Sequence, residues 1–503
     1  MNPTSQAPSP PLRHALWVLL VAVFGLHSEC ASAADDAAVQ ALQRQLQQVQ
    51  ATLQQLAQEN RALREHQQEL DRKLAELSGG PSSAMVAQGT AQPNAAALPD
   101  ASAVPNGSAL PSTPAPSATP GTQPGTMSPG LFGTGLRLWG YGEIYYTNPT
   151  SDRNQAQFDL ARAVLGIGYQ FDPDTEFNSE YEVEHAVASS TDVGEFEVEQ
   201  FYVDRRLNDY LSARGGLFLM PFGFINEHHE PTNFYGVQRN FVETLIIPST
   251  WREGGLSFHG DTPVALTWNV GLTTGFDLSK WEFAPQAPPY ANALELEDSD
   301  IAPLQATHQE LALANGRHLS QYLALGYYGL PGLTLGAAIS TGNAVPVPAA
   351  ANAAPPGNQR VTLWEAHARW APQRWELQGL YARGTISNTG FANEANPGSP
   401  NPIPASFYGY YFQGAYELWR HGDYRLNPFA RFEHYDMGSS YQGTAGPVIP
   451  PGGALLWPQN HDRVWTVGAN FYLGPHVVLK TDYQWFEQNT NFNRWDLGLG
   501  VAF

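Results

Sequence analysis

From about residue 131 to the end, apolar and polar positions alternate with a period of two. The last stretch sets Trp495, Leu497, Leu499, Val501 and Phe503 against Asp496, Gly498, Gly500 and Ala502. An earlier one sets Val477, Leu479, Thr481, Tyr483 and Trp485 against Val478, Lys480, Asp482 and Gln484. A third sets Phe177, Tyr181 and Val183 against Glu176, Asn178, Glu180, Glu182 and Glu184. Strict alternation is the mark of a strand whose two faces meet different surroundings. Sixteen such strands are predicted, at 136–147, 156–171, 174–187, 195–207, 210–221, 254–260, 264–275, 319–329, 333–341, 360–370, 374–385, 407–419, 423–436, 461–473, 476–488 and 493–503. The connections alternate between short turns, such as Asp172-Pro173-Asp174 and Leu330-Pro331-Gly332, and longer loops, the longest at 276–318. The third long loop, 222–253, is long enough to fold inward. Strands of this length with aromatic ends, joined by alternating short and long connections, predict an all-β, 16-stranded antiparallel transmembrane β-barrel over 131–503. In a soluble sandwich the polar face would look outward; in this barrel it lines a water-filled lumen.

Upstream the period changes. Val39, Leu46, Leu53, Asn60, Gln67 and Leu74 occupy one core position of a heptad, and Leu42, Val49, Leu56, Leu63, Leu70 and Leu77 the other. This predicts an α-helical coiled coil within 34–78 and hence self-association, without choosing between two and three chains. A single amphipathic helix packed on its own protein is the alternative. At about 1.5 Å per residue the rod would be about 58 Å long. Residues 79–130 hold ten prolines and one charge, Asp100, with no periodic apolar face, and are read as a disordered linker. At the start, Arg13 and His14 precede the apolar run 15–26, and Ala31-Ser32-Ala33 follows. That pattern predicts a signal peptide over 1–33; an uncleaved anchor is the alternative. The one cysteine, Cys30, precedes the expected cleavage, so the mature chain would hold no disulfide or thiolate site.

Composition narrows the chemistry. Among 503 residues, 47 are acidic and 26 basic, giving a formal net charge of −21, so no nucleic-acid partner is expected. Within 131–503 there are 38 acidic and 20 basic residues, and 18 of the bases are arginine. The inward charges expected from the alternation are Arg162, Glu176, Glu180, Glu182, Glu184, Glu365, His367, Arg369, Glu376, Arg431, Glu433, Lys480, Asp482 and Arg494. Acid and base on opposing walls would set a transverse field; ion pairs bracing the lumen are the alternative. The acid excess predicts a preference for cations or neutral solutes. In the third loop, Glu227, His228, His229, Glu230, Arg239, Glu243, Arg252 and Glu253 are candidates for the constriction, or else anchor the loop to the wall. The run Glu227-His228-His229-Glu230 carries zinc-binding side chains but fits no established metal spacing, and no metal site is assigned. Glu295, Glu297, Asp298 and Asp300 form an acidic outer loop suited to bridging divalent cations to lipid headgroups, or merely solvated. No cofactor and no enzymatic activity are expected: no phosphate cradle or zinc-protease motif is present.

Gly216-Leu217-Phe218-Leu219-Met220-Pro221-Phe222-Gly223 resembles the strand end G-x-F-x-x-P-F-G of the phosphate-selective porin O/P family. Asn240-Phe241-Val242-Glu243 and Pro248-Ser249-Thr250-Trp251-Arg252-Glu253-Gly254-Gly255 resemble that family's return from the pore loop into the next strand. The resemblance is closest over 205–260. It implies a trimeric, sixteen-stranded porin, and some relatives also carry an N-terminal coiled coil. Phosphate-selective members place a lysine after the motif's Phe, where this chain has Leu219. Phe503, ending an aromatic strand, resembles the C-terminal signal of bacterial outer-membrane barrels. The expectation is a homotrimeric porin in the outer membrane of a Gram-negative-type bacterium, bathed in outer-membrane lipid. Its N-terminal region would lie in the periplasm, free to meet a cell-wall or periplasmic partner. It would pass small hydrophilic solutes or ions. The alternatives are a structural tether acting through the coiled coil and a substrate-specific channel for phosphate or for sugar, the latter on lumen aromatics such as Tyr411.

Overall fold

The computed structural model describes residues 135–151, 153–188, 194–285, 301–348, 357–448 and 460–503. The expected signal peptide, coiled coil, linker and the acidic run 295–300 lie outside the described residues. The strands, in chain order, are β1 Leu136–Pro149, β2 Gln157–Asp172, β3 Thr175–Glu184, β4 Phe196–Asn208, β5 Leu211–Leu219, β6 Arg252–Asp261, β7 Leu266–Thr274, β8 Leu319–Leu330 and β9 Leu333–Asn343. They continue as β10 Arg360–Trp370, β11 Trp375–Ile386, β12 Pro404–Tyr416, β13 Trp419–His421, β14 Tyr424–Tyr441, β15 His461–Leu473, β16 Val477–Phe486 and β17 Arg494–Ala502. Each pairs antiparallel with its sequence neighbour, except that β12 and β13 both pair with β14, and β1 pairs with β17 from Tyr141↔Ala502 to Pro149↔Arg494, which closes the barrel.

β12 and β13 lie along the same edge of β14, through Gln413↔Arg431 and Arg420↔Arg425. Between them Leu418 N–H still reaches Leu426 O at 2.9 Å. They are one wall strand with a local break, so the wall has sixteen strands, as the alternation implied. The differences lie at strand ends. β12 begins three residues early, at Pro404, and β14 continues five residues further than expected, to Tyr441.

The pattern of burial is inverted relative to a soluble protein. Outward side chains such as Leu256 and Phe412 are 65% and 62% exposed, while the inward Glu433 and Asp496 are fully buried. Trp364, Trp370, Trp375, Trp465, Trp485 and Trp495 also stand exposed on the outside. An apolar ring of this extent is stable only against lipid or another apolar surface.

The barrel has an apolar core of its own. Residues 220–251, between β5 and β6, fold into the lumen. Phe222, Phe241, Val242, Leu245, Ile246 and Trp251 pack there on inward wall residues Leu363, Leu380, Ala382, Phe407, Tyr435 and Phe486. Phe276, Ile301 and Leu304, from the connection between β7 and β8, join the same cluster. Trp251 stacks on Phe276 at 5.4 Å and meets Phe222 at 4.8 Å. Each such buried side chain contributes about 1.5–3 kcal/mol, so the loop is held by packing as well as by polar contacts.

Candidate functional site

The loop that fills the lumen is closed at its base by one amide. Asn226 Nδ2 donates to Met220 O at 2.7 Å and to Trp251 O at 2.9 Å, and its Oδ1 accepts from Trp251 N–H at 2.7 Å. The motif residues then explain one another. Gly223 has φ +67°, and a Cβ there would lie 2.2 Å from Glu243 Oε1. The absence of a side chain lets the Glu243 carboxylate accept Phe224 N–H at 2.5 Å and Ile225 N–H at 2.9 Å. Asn240 Nδ2 at 2.8 Å and Tyr411 Oη at 2.9 Å complete its shell. Burial pushes the Glu243 carboxyl above its usual range, opposed by these donors. Glu243 is therefore an anchor of the loop and does not face the passage. Arg239 is likewise internal, donating to Ser249 Oγ and to Thr250 Oγ1 at 2.8 Å.

The loop grips two arcs of the wall. On β14–β17, Phe241 N–H donates to Glu433 at 2.7 Å and Val237 N–H to Asp482 Oδ2 at 2.6 Å. Arg431 Nη1 donates to Tyr235 O at 3.0 Å, Asn470 Nδ2 to Phe234 O at 3.0 Å, and Arg494 to Gln238. The three buried bases of this arc, Arg431, Lys480 and Arg494, each have an acid two residues away on the same face. Arg431 meets Glu433 at 2.6 Å, Arg494 meets Asp496 at 3.4 Å, and Lys480 lies in sequence beside Asp482. Lys480 Nζ also sits 3.4 Å from the Phe234 ring centroid. Gly500 of β17 permits the same closeness, since a Cβ there would lie 2.5 Å from Pro231 Cβ. On this arc acid and base are not segregated to opposing walls. Adjacent residues on one strand face neutralise each other.

The other arc is β1–β4. Arg162 bridges the Glu143 carboxylate at 2.7 Å and His229 O at 2.5 Å. His229 Nε2 lies 2.6 Å from Tyr141 Oη and 3.5 Å from Glu199 Oε1. Glu180 accepts from Trp139 Nε1 at 2.8 Å and from Gln200 Nε2. Glu197 pairs with Arg252, which also meets Glu310 at 3.0 Å. Arg252 and Glu253 are buried at the start of β6, and Glu253 accepts from Trp251 Nε1 at 3.3 Å and from Thr274 Oγ1. Glu199 faces inward because of a bulge: Glu180↔Gln200 is followed by Tyr181↔Val198, which leaves Glu199 as an extra residue on the lumen side.

Of the eight loop candidates, then, His229, Arg239, Glu243, Arg252 and Glu253 are buried in contacts, whereas Glu227, His228 and Glu230 are partly exposed. Glu230 accepts from Asn233 Nδ2 at 2.6 Å. Of the wall candidates, Arg162, Glu180, Glu182, Glu365, Arg431, Glu433, Lys480, Asp482 and Arg494 are buried beneath loop or neighbours. Glu184 and Arg369 are half-buried; Arg369 pairs with Glu376 at 2.9 Å, and Arg137 with Glu176 at 2.7 Å, toward the short-turn end. His367 pairs with Glu365 at 2.8 Å. Tyr411 faces the lumen but is covered by the loop. Sequence reading missed Glu143, whose alternation with Tyr141 and Trp139 already placed it inward. It also missed Glu199, which the bulge hides, and Asn226 and Asn240, whose roles depend on the folded loop.

No protein-family model matches the chain. A protein of Aquifex aeolicus (strain VF5), described as uncharacterized, is 28% identical over 358 residues, which are 69% of this chain and 75% of that protein. Among solved structures, OmpF of Salmonella typhi in complex with daunomycin is 13% identical over 74% of this chain and 98% of its own, with a TM-score of 0.45. The outer membrane channel DcaP of Acinetobacter baumannii is 10% identical over 73% and 97%, with a TM-score of 0.44. An anion-selective porin from Comamonas acidovorans is 12% identical over 73% and 99%, with a TM-score of 0.43.

Proposed function

We propose that the chain is an outer-membrane porin that passes small hydrophilic solutes or ions by passive diffusion, cation-preferring or weakly selective. The observation that carries this reading is the inverted burial: a closed sixteen-strand wall is greasy outside and charged inside. Such a wall is matched to a bilayer around it and water within it. The folded-in loop is the size filter. Glu227, His228 and Glu230 are the loop groups a solute meets, and Glu184 and Arg369 meet it on the wall. The excess of acid over base in 131–503 supports the cation preference. The heptads of 39–77 support self-association through a periplasmic rod, and the resemblance over 205–260 supports three chains.

The same heptads favour a second reading, in which the barrel is mainly an anchor and the rod holds a cell-wall or periplasmic partner. Removal of 34–130 separates the two. Proteoliposomes containing the shortened, folded barrel are expected to swell in small sugars as fast as those with the full chain. Loss of swelling with the N-terminal region, or no swelling from either form, would count against a porin.

A further inference from the structure

The β3–β4 arc contains a group of side chains that porin function does not require. One oxygen each of Glu180 and Glu199 and a ring nitrogen of His229 lie within 4.8 Å of one another, and all three residues are buried. A second trio, Glu182, Glu197 and Glu199, meets the same limit and shares Glu199. The three elements that supply these groups are far apart in sequence: β3, the bulge of β4, and the loop.

Two further observations point to a ligand. First, one ring nitrogen of His229 is committed. Its Nδ1 lies 3.0 Å from the Asn226 backbone oxygen, which can only accept, so Nδ1 carries a proton. Nε2, directed at Glu199 and Tyr141, is the nitrogen left for a metal ion. A backbone carbonyl holding the far nitrogen is the usual support of a metal-binding histidine. Second, Glu182 Oε1 and Glu199 Oε1 are buried with no hydrogen-bond partner. Glu182 and Glu199 are 2% and 0% exposed. Arg162 is engaged by Glu143, and Arg252 is divided between Glu197 of the second trio and Glu310 outside it. Buried carboxylates with unfilled lone pairs are costly unless a cation reaches them or they share a proton, and Glu182 and Glu199 are close enough for a metal ion to replace such a proton.

We propose that Glu180, Glu199 and His229 bind one divalent transition-metal ion, with Glu182 as the adjoining carboxylate, and that the ion ties the loop to the β3–β4 wall. The mixed nitrogen and oxygen donors suit Zn²⁺ or Mn²⁺, whereas Ca²⁺ and Mg²⁺ prefer oxygen alone. Zinc bonds of about 2.1 Å bring tetrahedral ligands to about 3.4 Å apart, so the three side chains need to close by little more than an ångström. Tyr141 Oη gives up its contact with Nε2 and keeps its bond to Glu199 Oε2, at 3.1 Å. This site stands whether or not the barrel conducts, because its readout is metal content.

The test uses the full chain, folded in detergent, stripped with EDTA and dialysed against micromolar ZnCl₂. The wild type is expected to retain one zinc more per chain than His229→Ala or Glu199→Gln, with at least tenfold weaker uptake at that equivalent in both variants. His228→Ala, which alters the neighbouring partly exposed imidazole, is expected to match the wild type. Heat-modifiable migration on gels reports folding. Should His229→Ala fail to fold, Glu199→Gln decides, since it is isosteric and removes one of the excess charges. Zinc uptake equal in wild type, His229→Ala and Glu199→Gln, or no uptake by the wild type, overturns the proposal.

Discussion

The two arcs gripped by the loop are built from the same side chains and balanced differently. On β14–β17 each buried base, Arg431, Lys480 and Arg494, has an acid two residues along its own strand, and the loop's backbone amides fill carboxylate positions that remain. On β3–β4, Glu180, Glu182, Glu197 and Glu199 crowd together with one imidazole and a shared arginine. The first arc is self-contained and works as a seat for the loop. The second concentrates acids with no base two residues along their own strands, and so is the place where a cation can alter the loop. Charge inside a barrel thus has two uses, distinguished by whether the partner is a neighbour on the same strand.

The largest expected effect is on the matched arc. Arg431→Ala leaves the buried Glu433 without its base in the loop's seat. A loss of about 3–5 kcal/mol is expected, read as a lower urea midpoint in detergent. An unchanged midpoint would mean that the pairing does not hold the loop.

The next largest concerns pH. His308, in the connection between β7 and β8, is buried. Its pKa is lowered to about 4, by desolvation first, with Arg252 and Lys280 adding to the shift and Glu310 opposing it. The folded protein resists protonating it, whereas the unfolded chain protonates near 6.5. Stability is therefore full above pH 6.5 and declines as pH falls toward 4, by about 3 kcal/mol. Hydrogen exchange at 301–309 is expected to accelerate over that window, and His308→Asn to remove the effect.

Gly223→Ala is expected to cost about 1–3 kcal/mol, because φ is positive and the Glu243 carboxylate occupies the space a methyl needs. Noisier, larger single-channel currents would accompany the freed loop. The smallest effect distinguishes the arcs most sharply. Glu182→Gln removes a charge from the unmatched arc and is expected to leave the metal-free barrel within about 1 kcal/mol of wild type or slightly more stable. A loss comparable to that of Arg431→Ala would mean the two arcs are equivalent.

The barrel was legible in the sequence because lipid and water impose opposite demands on alternate residues, so period and face appear together, as in Trp495 to Phe503. Turns such as Asp172-Pro173-Asp174 located strand ends to within a few residues. The break between Tyr416 and Trp419 was hidden because both pieces keep the same partner. The loop was visible as a length and a motif, but the duty of each residue was not. Glu243 reads as a pore carboxylate until Tyr411, 168 residues away, is seen bonded to it. Likewise His229 looks like part of a local His-His pair, whereas its nitrogen faces Glu199 across the fold. Glu199 itself sits out of phase in the alternation, and only the bulge turns it inward.

The measurement that bears most directly on the porin reading is the reversal potential of the purified full chain in planar bilayers across a KCl gradient, with phosphate added afterwards. Open-channel current with a cation-selective or near-neutral reversal, unaffected by phosphate, is the expected result. Anion selectivity with phosphate block, or no current from folded protein, would contradict it.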